Sequence, residues 1–215
     1  MATTTQTAAT SSSSTPALDR AAAGALYGAC IDDTRSPIGE TARGAGRGPV
    51  VAVIGDSITS QVRSVLTADP EHRWVVWSRC GATTGSAIAA GAAHAVMAAH
   101  PQVVVVALGT NDTGFPEPQP GAAAGFAERA RLLLDLVAGV PCVVWVNTAQ
   151  AGDDVLQAEM NSVNQAVREL PGVHVADWAA VAAAGPGVLT DRVHLSTVGV
   201  AGRVGLLQRA VSDCP

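Results

Sequence analysis

The chain has 215 residues, 48% of them apolar but only 3% aromatic, enough for one domain whose core packs small side chains and close backbones. Its net charge of -5 comes from 18 acidic residues against 13 basic ones, all of them scattered arginines, which argues against a nucleic-acid partner. No apolar run approaches the roughly 18 residues of a membrane span, and the longest, such as "VVVVAL", have the length of buried strands.

In chain order, residues 1–15, "MATTTQTAATSSSST", carry no charge and no apolar periodicity, so a disordered tail is expected through residue 20. They lack the basic start and apolar middle of a signal peptide, although an exported protein deprived of its signal would begin in the same way. Residues 21–49 are read as an N-terminal extension packing on a domain of residues 50–215.

That domain alternates strands with helices. A strand over 50–54 runs into Gly55-Asp56-Ser57 and a helix over 58–67; a strand over 73–78 and the loop "RCGATTG" lead to a helix over 84–99. A strand over 102–108 and "GTNDTG" precede a helix over 122–138, and a strand over 141–147 and "NTAQAGDD" precede a helix over 154–170. The last strand, 172–176, passes through Asp177 and Trp178 into "TDRVHLS", and a helix over 197–211 starts at Ser196 or Thr197. Five near-continuously apolar strands predict a parallel sheet covered by helices on both faces. In such a doubly wound sheet the polar loops gather at the carboxyl ends of the strands, where ligands bind.

The four cysteines, Cys30, Cys80, Cys142 and Cys214, show no metal-ligand spacing. Cys80 and Cys142 flank apolar strands and read as buried thiols acting as small hydrophobes. Cys30 and Cys214 flank the compact region and suit a clasp between its ends in an oxidising compartment. The reading therefore leans toward a secreted or exported protein, with the cytoplasm as the alternative.

Acyl transfer through a nucleophile needs a hydroxyl, an imidazole, a carboxylate to orient the imidazole, and donors for the oxyanion. Ser57 would attack, His194 would act as general base and then general acid, and Asp191 would hold the imidazole. The backbone N–H groups of Ser57 and Gly81 and the amide of Asn111 would form the oxyanion hole. "GDS" at 55–57, Gly81 in "CGATTG", "GTND" at 109–112 and "DRVH" at 191–194 resemble, in that order, the four blocks of the SGNH hydrolases, also called GDSL-type esterases. The resemblance covers about residues 50–212. It implies a flavodoxin-like three-layer α/β/α sandwich with a five-stranded parallel sheet, no metal and no organic cofactor. It also implies a serine hydrolase with a Ser57–His194–Asp191 triad, acting on a small-molecule or saccharide ester. Gly85 is an alternative to Gly81 for the second block.

Short-chain acyl or O-acetyl esters are the expected substrates, because the chain offers no insertion long enough for a lid or a deep acyl tunnel. Two other functions stay open at this point. One is an O-acyltransferase that passes the acyl group to a sugar hydroxyl; the other is a flavodoxin-like module that holds phosphate at the Gly55-Asp56-Ser57 turn without reacting. Against the module, the turn has no glycine-rich nest and Asp56 puts a negative charge where a phosphate would sit. Taken alone, Ser57 could be no more than a helix N-cap. Asp56 and Asp112 read as local turn or cap residues, and Asp177 as a cap and a rival to Asp191. His72, His94, His100 and His174 read as surface or structural. Trp145 and the Pro-rich "GFPEPQPG" of 114–121 could border a pocket, or serve as core and as rigid connection.

Overall fold

The computed structural model describes residues 39–149 and 152–215. The expected tail, most of the N-terminal extension and Cys30 lie outside the described residues. Six strands form one sheet: β1 (Glu40–Arg43), β2 (Val50–Gly55), β3 (Arg73–Ser78), β4 (Val103–Ala107), β5 (Cys142–Val146) and β6 (Val173–Ala176). The helices are α1 (Ser57–Thr67), α2 (Thr84–Ala89), α3 (Ala92–Met97), α4 (Phe126–Leu136), α5 (Asp154–Arg168), α6 (Trp178–Ala184) and α7 (Thr197–Ser212). Among the described residues, one 3-10 turn covers Asn111–Thr113.

Strand parity sets the layers. On β2 the side chains of Ala52 and Ile54 join Val104, Val106 and Trp145 beneath α3, α4 and α5, which contribute Val96, Leu133 and Val163. Val51 and Val53 face the other way, with Val105 and Val144, beneath Val62 and Leu66 of α1 and Val204 and Leu207 of α7. Both faces are dry, which explains why the strands read as unbroken apolar runs.

The strand order is β1-β3-β2-β4-β5-β6. From β2 the chain pairs first with β3 on one side and then crosses over to β4 on the other, both parallel. The order therefore reverses at β2, and the loop after its carboxyl end, which carries Ser57, opens at the switch point.

The sheet has one strand more than expected. The added β1 pairs antiparallel with β3 at the edge, Glu40 opposite Ser78, so the end of the N-terminal extension belongs to the sheet. Its sequence, Glu-Thr-Ala-Arg, is largely exposed and shows no apolar alternation. The helix expected over 84–99 divides into α2 and α3 at Gly91, whose φ of +70° leaves the right-handed helix. The stretch after Asp177 is not loop but begins with α6, an Ala-rich helix of 7 residues.

The cysteine expectations also change. Cys142, at the start of β5, is bonded to Cys214, just beyond α7, so Cys214 does not clasp Cys30. Cys80 is disulfide-bonded too, and no described cysteine is a free thiol. The order of elements hides this pairing, because β5 and α7 meet only once the sheet is assembled.

Candidate active site

The turn after β2 positions Ser57. Asp56 is the N-cap of α1, its Oδ1 accepting from Ile58 N at 3.0 Å, so Ser57 is the first helical residue rather than the cap. The Ser57 N–H thus lies among the donors that a helix start leaves without intrahelical partners. Gly55 has to be glycine for another reason: a Cβ there would sit 1.9 Å from Thr59 Oγ1.

The imidazole arrives from the last loop. His194 Nε2 stands 3.0 Å from Ser57 Oγ, and Nδ1 stands 2.8 Å from Asp191 Oδ2. Asp191 Oδ1 accepts from the backbone N–H of Val193 at 2.8 Å and of His194 at 2.7 Å, which folds the three-residue segment around the carboxylate. Its burial alone would raise the carboxyl pKa, but the hydrogen bonds from the His194 ring and the two backbone groups outweigh burial and hold it well below the usual carboxylate range. Asp191 is therefore anionic wherever His194 needs an orienting partner. Gln61 of α1 fastens the same loop, accepting from Leu195 N at 3.0 Å and donating to Leu195 O at 3.3 Å.

Asn111 and Gly81 approach from the next strand ends. Asn111 Nδ2 lies 3.1 Å from Ala82 O and 3.3 Å from Asp56 Oδ2, between the first and second loops. Gly81 has φ of +69°, and a Cβ there would meet nothing within 4 Å. Its backbone faces open space at the rim. Gly85 instead lies within α2 against Arg129.

Asp112 does more than cap a turn. Its buried carboxylate accepts from Thr84 N at 2.8 Å and Thr84 Oγ1 at 3.0 Å, and from Arg129 Nε at 3.2 Å and NH2 at 3.1 Å. It ties the Asn111 turn to the start of α2, next to Gly81.

Asp56 is buried, and burial pushes its carboxyl up to about 6 against the opposing pull of the Ile58 N–H and of the Arg203 and His194 charges. Arg203 of α7 is itself buried, stacked 5.1 Å from the Trp178 ring, and desolvation lowers its pKa to about 10.

The remaining candidates fall away from this cluster. Asp177 accepts from Asn147 Nδ2 at 2.8 Å and caps α6. Trp145 is core: its Nε1 donates to Leu108 O at 3.1 Å and its ring meets Phe126 edge-on. His72 bonds Asp69 at 2.9 Å, and His94, His100 and His174 are exposed. Among the described residues no group of three or more His, Cys, Asp or Glu could hold a metal, and no helix is long and apolar enough to cross a membrane.

Sequence reasoning missed Gln61 and the Asp112 network because their partners are distant in the chain. It also missed Arg192 and Glu159, for which the only signals were a charge inside "DRVH" and an acid on the buried face of α5.

The same fold is found in an acetylxylan esterase from Geobacillus stearothermophilus, solved as a catalytic mutant. The two share 20% identity, with 77% of this chain and 95% of that one covered and a TM-score of 0.61. It is found as well in the C-terminal catalytic domain of peptidoglycan O-acetyltransferase A from Streptococcus pneumoniae, at 16% identity, 78% and 97% coverage and a TM-score of 0.53. No curated protein matches the chain in sequence. Residues 53–201 match the GDSL-like Lipase/Acylhydrolase family, a span reaching from β2 past the His194 loop into α7. The chain belongs to that family and is a GDSL-type esterase.

Proposed function

We propose that the protein cleaves short-chain acyl esters, O-acetyl esters of saccharides above all, with Ser57 as nucleophile, His194 as general base and acid, and Asp191 as the orienting acid. The carrying observation is the unbroken relay of 3.0 Å from Ser57 Oγ to His194 Nε2 and 2.8 Å from His194 Nδ1 to Asp191. His194 Nε2 takes the Ser57 proton as Oγ bonds the carbonyl carbon, and the carbonyl electron pair moves onto oxygen. That oxyanion is received by the N–H groups of Ser57 and Gly81 and by the Asn111 amide. As the intermediate collapses, the bond to the alcohol oxygen breaks and the imidazolium proton goes to the leaving alcohol. Water then bonds the acyl carbon as His194 takes its proton; on collapse the bond to Ser57 Oγ breaks, the imidazolium returns that proton to Oγ, and the acid leaves.

The acetylxylan esterase neighbour supports an O-acetyl saccharide as substrate, and the O-acetyltransferase neighbour supports a second reading in which a sugar hydroxyl replaces water in the last step. Disulfides at Cys142–Cys214 and at Cys80 suit an oxidising compartment.

The test is a fluorophosphonate probe with peptide mapping, run beside p-nitrophenyl esters of increasing acyl length. One adduct on Ser57, its loss in Ser57→Ala, and faster turnover of acetyl than of octanoyl esters are expected. An adduct elsewhere would displace the triad; faster octanoyl turnover would displace the substrate class. Product analysis with an added saccharide separates hydrolysis from transfer.

A further inference from the structure

The described residues include four tryptophans and two phenylalanines, and five of these six rings are buried in the core at 2% exposure or less. Phe115, in the loop between the Asn111 turn and α4, is the exception. It is only partly buried, and its ring stands edge-on to the His194 imidazole with centroids 5.9 Å apart.

Such a ring on a loop would ordinarily be free to turn. Here it is held from three sides. Beneath it lie Leu156, Met160 and Val193. The Arg192 guanidinium lies 5.4 Å from its centroid, and the same group donates to Pro116 O at 2.7 Å and to Asp153 Oδ2 at 2.9 Å. Farther along the loop, the buried Glu159 carboxylate accepts from Gly121 N at 2.7 Å and Ala123 N at 2.8 Å. An aromatic surface is thus fixed at the rim beside the group that protonates the leaving oxygen.

We propose that Phe115 is a specificity-determining residue of the leaving-alcohol site, offering the exposed part of its ring to the C–H surface of a ring-shaped alcohol such as a pyranose, and that Arg192 is the positioning residue that holds it there. The proposal rests on the reading of Ser57 and His194 given above. The alcohol oxygen must lie at the imidazole to receive its proton, so the carbon skeleton attached to it passes close to that imidazole, and Phe115 is the aromatic ring in contact with it. A flat apolar face against an aromatic ring gains contact and removes apolar area from water; a two-carbon alcohol gains little of either.

Two acetyl esters separate the alcohol from the acyl side, because both form the same acetyl-enzyme and kcat/KM reports the steps up to it. The experiment compares an O-acetylated methyl pyranoside with ethyl acetate on wild type, Phe115→Ala, Phe115→Trp and Arg192→Gln. In Phe115→Ala the ratio of the two kcat/KM values should fall by roughly ten-fold, the scale of one aromatic contact. Phe115→Trp should preserve the ratio. Arg192→Gln should lower it as Phe115→Ala does, with the double variant no worse than Phe115→Ala alone. An unchanged ratio in Phe115→Ala overturns the proposal, as does a loss that follows acyl length with the alcohol held constant. Failure of the wild type to label at Ser57 would instead remove the triad reading, so the two failures are distinct.

Discussion

Asn111 Nδ2 has two hydrogens and, in the free enzyme, two acceptors, Ala82 O at 3.1 Å and Asp56 Oδ2 at 3.3 Å. In the proposed mechanism the oxyanion draws one of them away, and the longer bond to Asp56 is the weaker hold. Asn111→Ala should lower kcat by roughly 10²- to 10³-fold, the usual effect of one oxyanion donor, and move the melting temperature little. Full activity in that variant would remove Asn111 from the hole. Asp56 links this donor to pH. Its carboxyl is pushed up to about 6, so it binds a proton as pH falls through that value and accepts from Asn111 less strongly. On that ground Asp56 should give up the Asn111 hydrogen to an oxyanion more readily as pH falls through about 6, and the ratio of wild-type to Asp56→Asn kcat/KM should rise in that direction, because the variant keeps a capping oxygen but cannot titrate. A ratio constant across pH would show that Asp56 has no part in the rate. The stability term has the same sign: a folded pKa raised above 3.8 favours the fold at low pH and is lost as pH rises through about 6.

At the scale of elements, α1 holds both members of the proposed reacting pair, Ser57 at its first residue and the His194 loop through Gln61. Gln61→Leu would leave the buried N–H and C=O of Leu195 unpaired, costing about 1–3 kcal/mol. It should also lower kcat more than it raises KM, since the imidazole loses its support while the rim keeps its shape. Equal kinetics in a destabilised variant would make Gln61 structural only. This dependence also explains what could be read in advance. β3 is legible to the residue at 73–78 because a strand buried on both faces is an apolar run with polar ends. β1 is not, since an exposed edge strand is specified by its neighbour β3 rather than by its own composition. Ser57 stands out because its polar block follows a strand end, where a doubly wound sheet collects its chemistry, and Asp191 and His194 because they form one short polar block in the last loop. Asp112 and Gln61 look ordinary in sequence, because their partners Thr84, Arg129 and Leu195 are 17 to 134 residues away. Cys142 resembles a small core residue until α7 brings Cys214 to it.

For the whole molecule, the end of the sheet opposite the site is gathered by Asp69, which accepts from Glu71 N at 2.8 Å, His72 and Trp74 at 2.9 Å and Gln208 of α7 at 3.3 Å. Burial opposes its ionisation, but these bonds outweigh burial and hold the carboxyl at about 2. A depressed carboxyl stabilises above its unfolded value of 3.8, and that contribution fades as pH falls through about 2. Asp69→Asn should therefore be destabilised at pH 7, with its deficit to the wild type narrowing during acid titration; a constant deficit would assign the loss to packing alone. The Cys142–Cys214 bond fixes α7 at the same end, closing a loop with a sequence separation of 72. On the chain-entropy model a loop of that length contributes about 4 kcal/mol through the unfolded state. For a domain of this size that corresponds to roughly 10 °C in Tm. Cys214→Ser and Cys142→Ser should each lose that much by calorimetry, and the double variant no more than either. Because α7 packs on α1 through Leu207 and Val204 on the face that carries Ile58 and Val62, the folded site should survive the cut. Activity at 25 °C should therefore be kept and inactivation on heating should come earlier. A Tm within 2 °C of the wild type would show that the packing of α7, not its covalent anchor, keeps the helix beside α1.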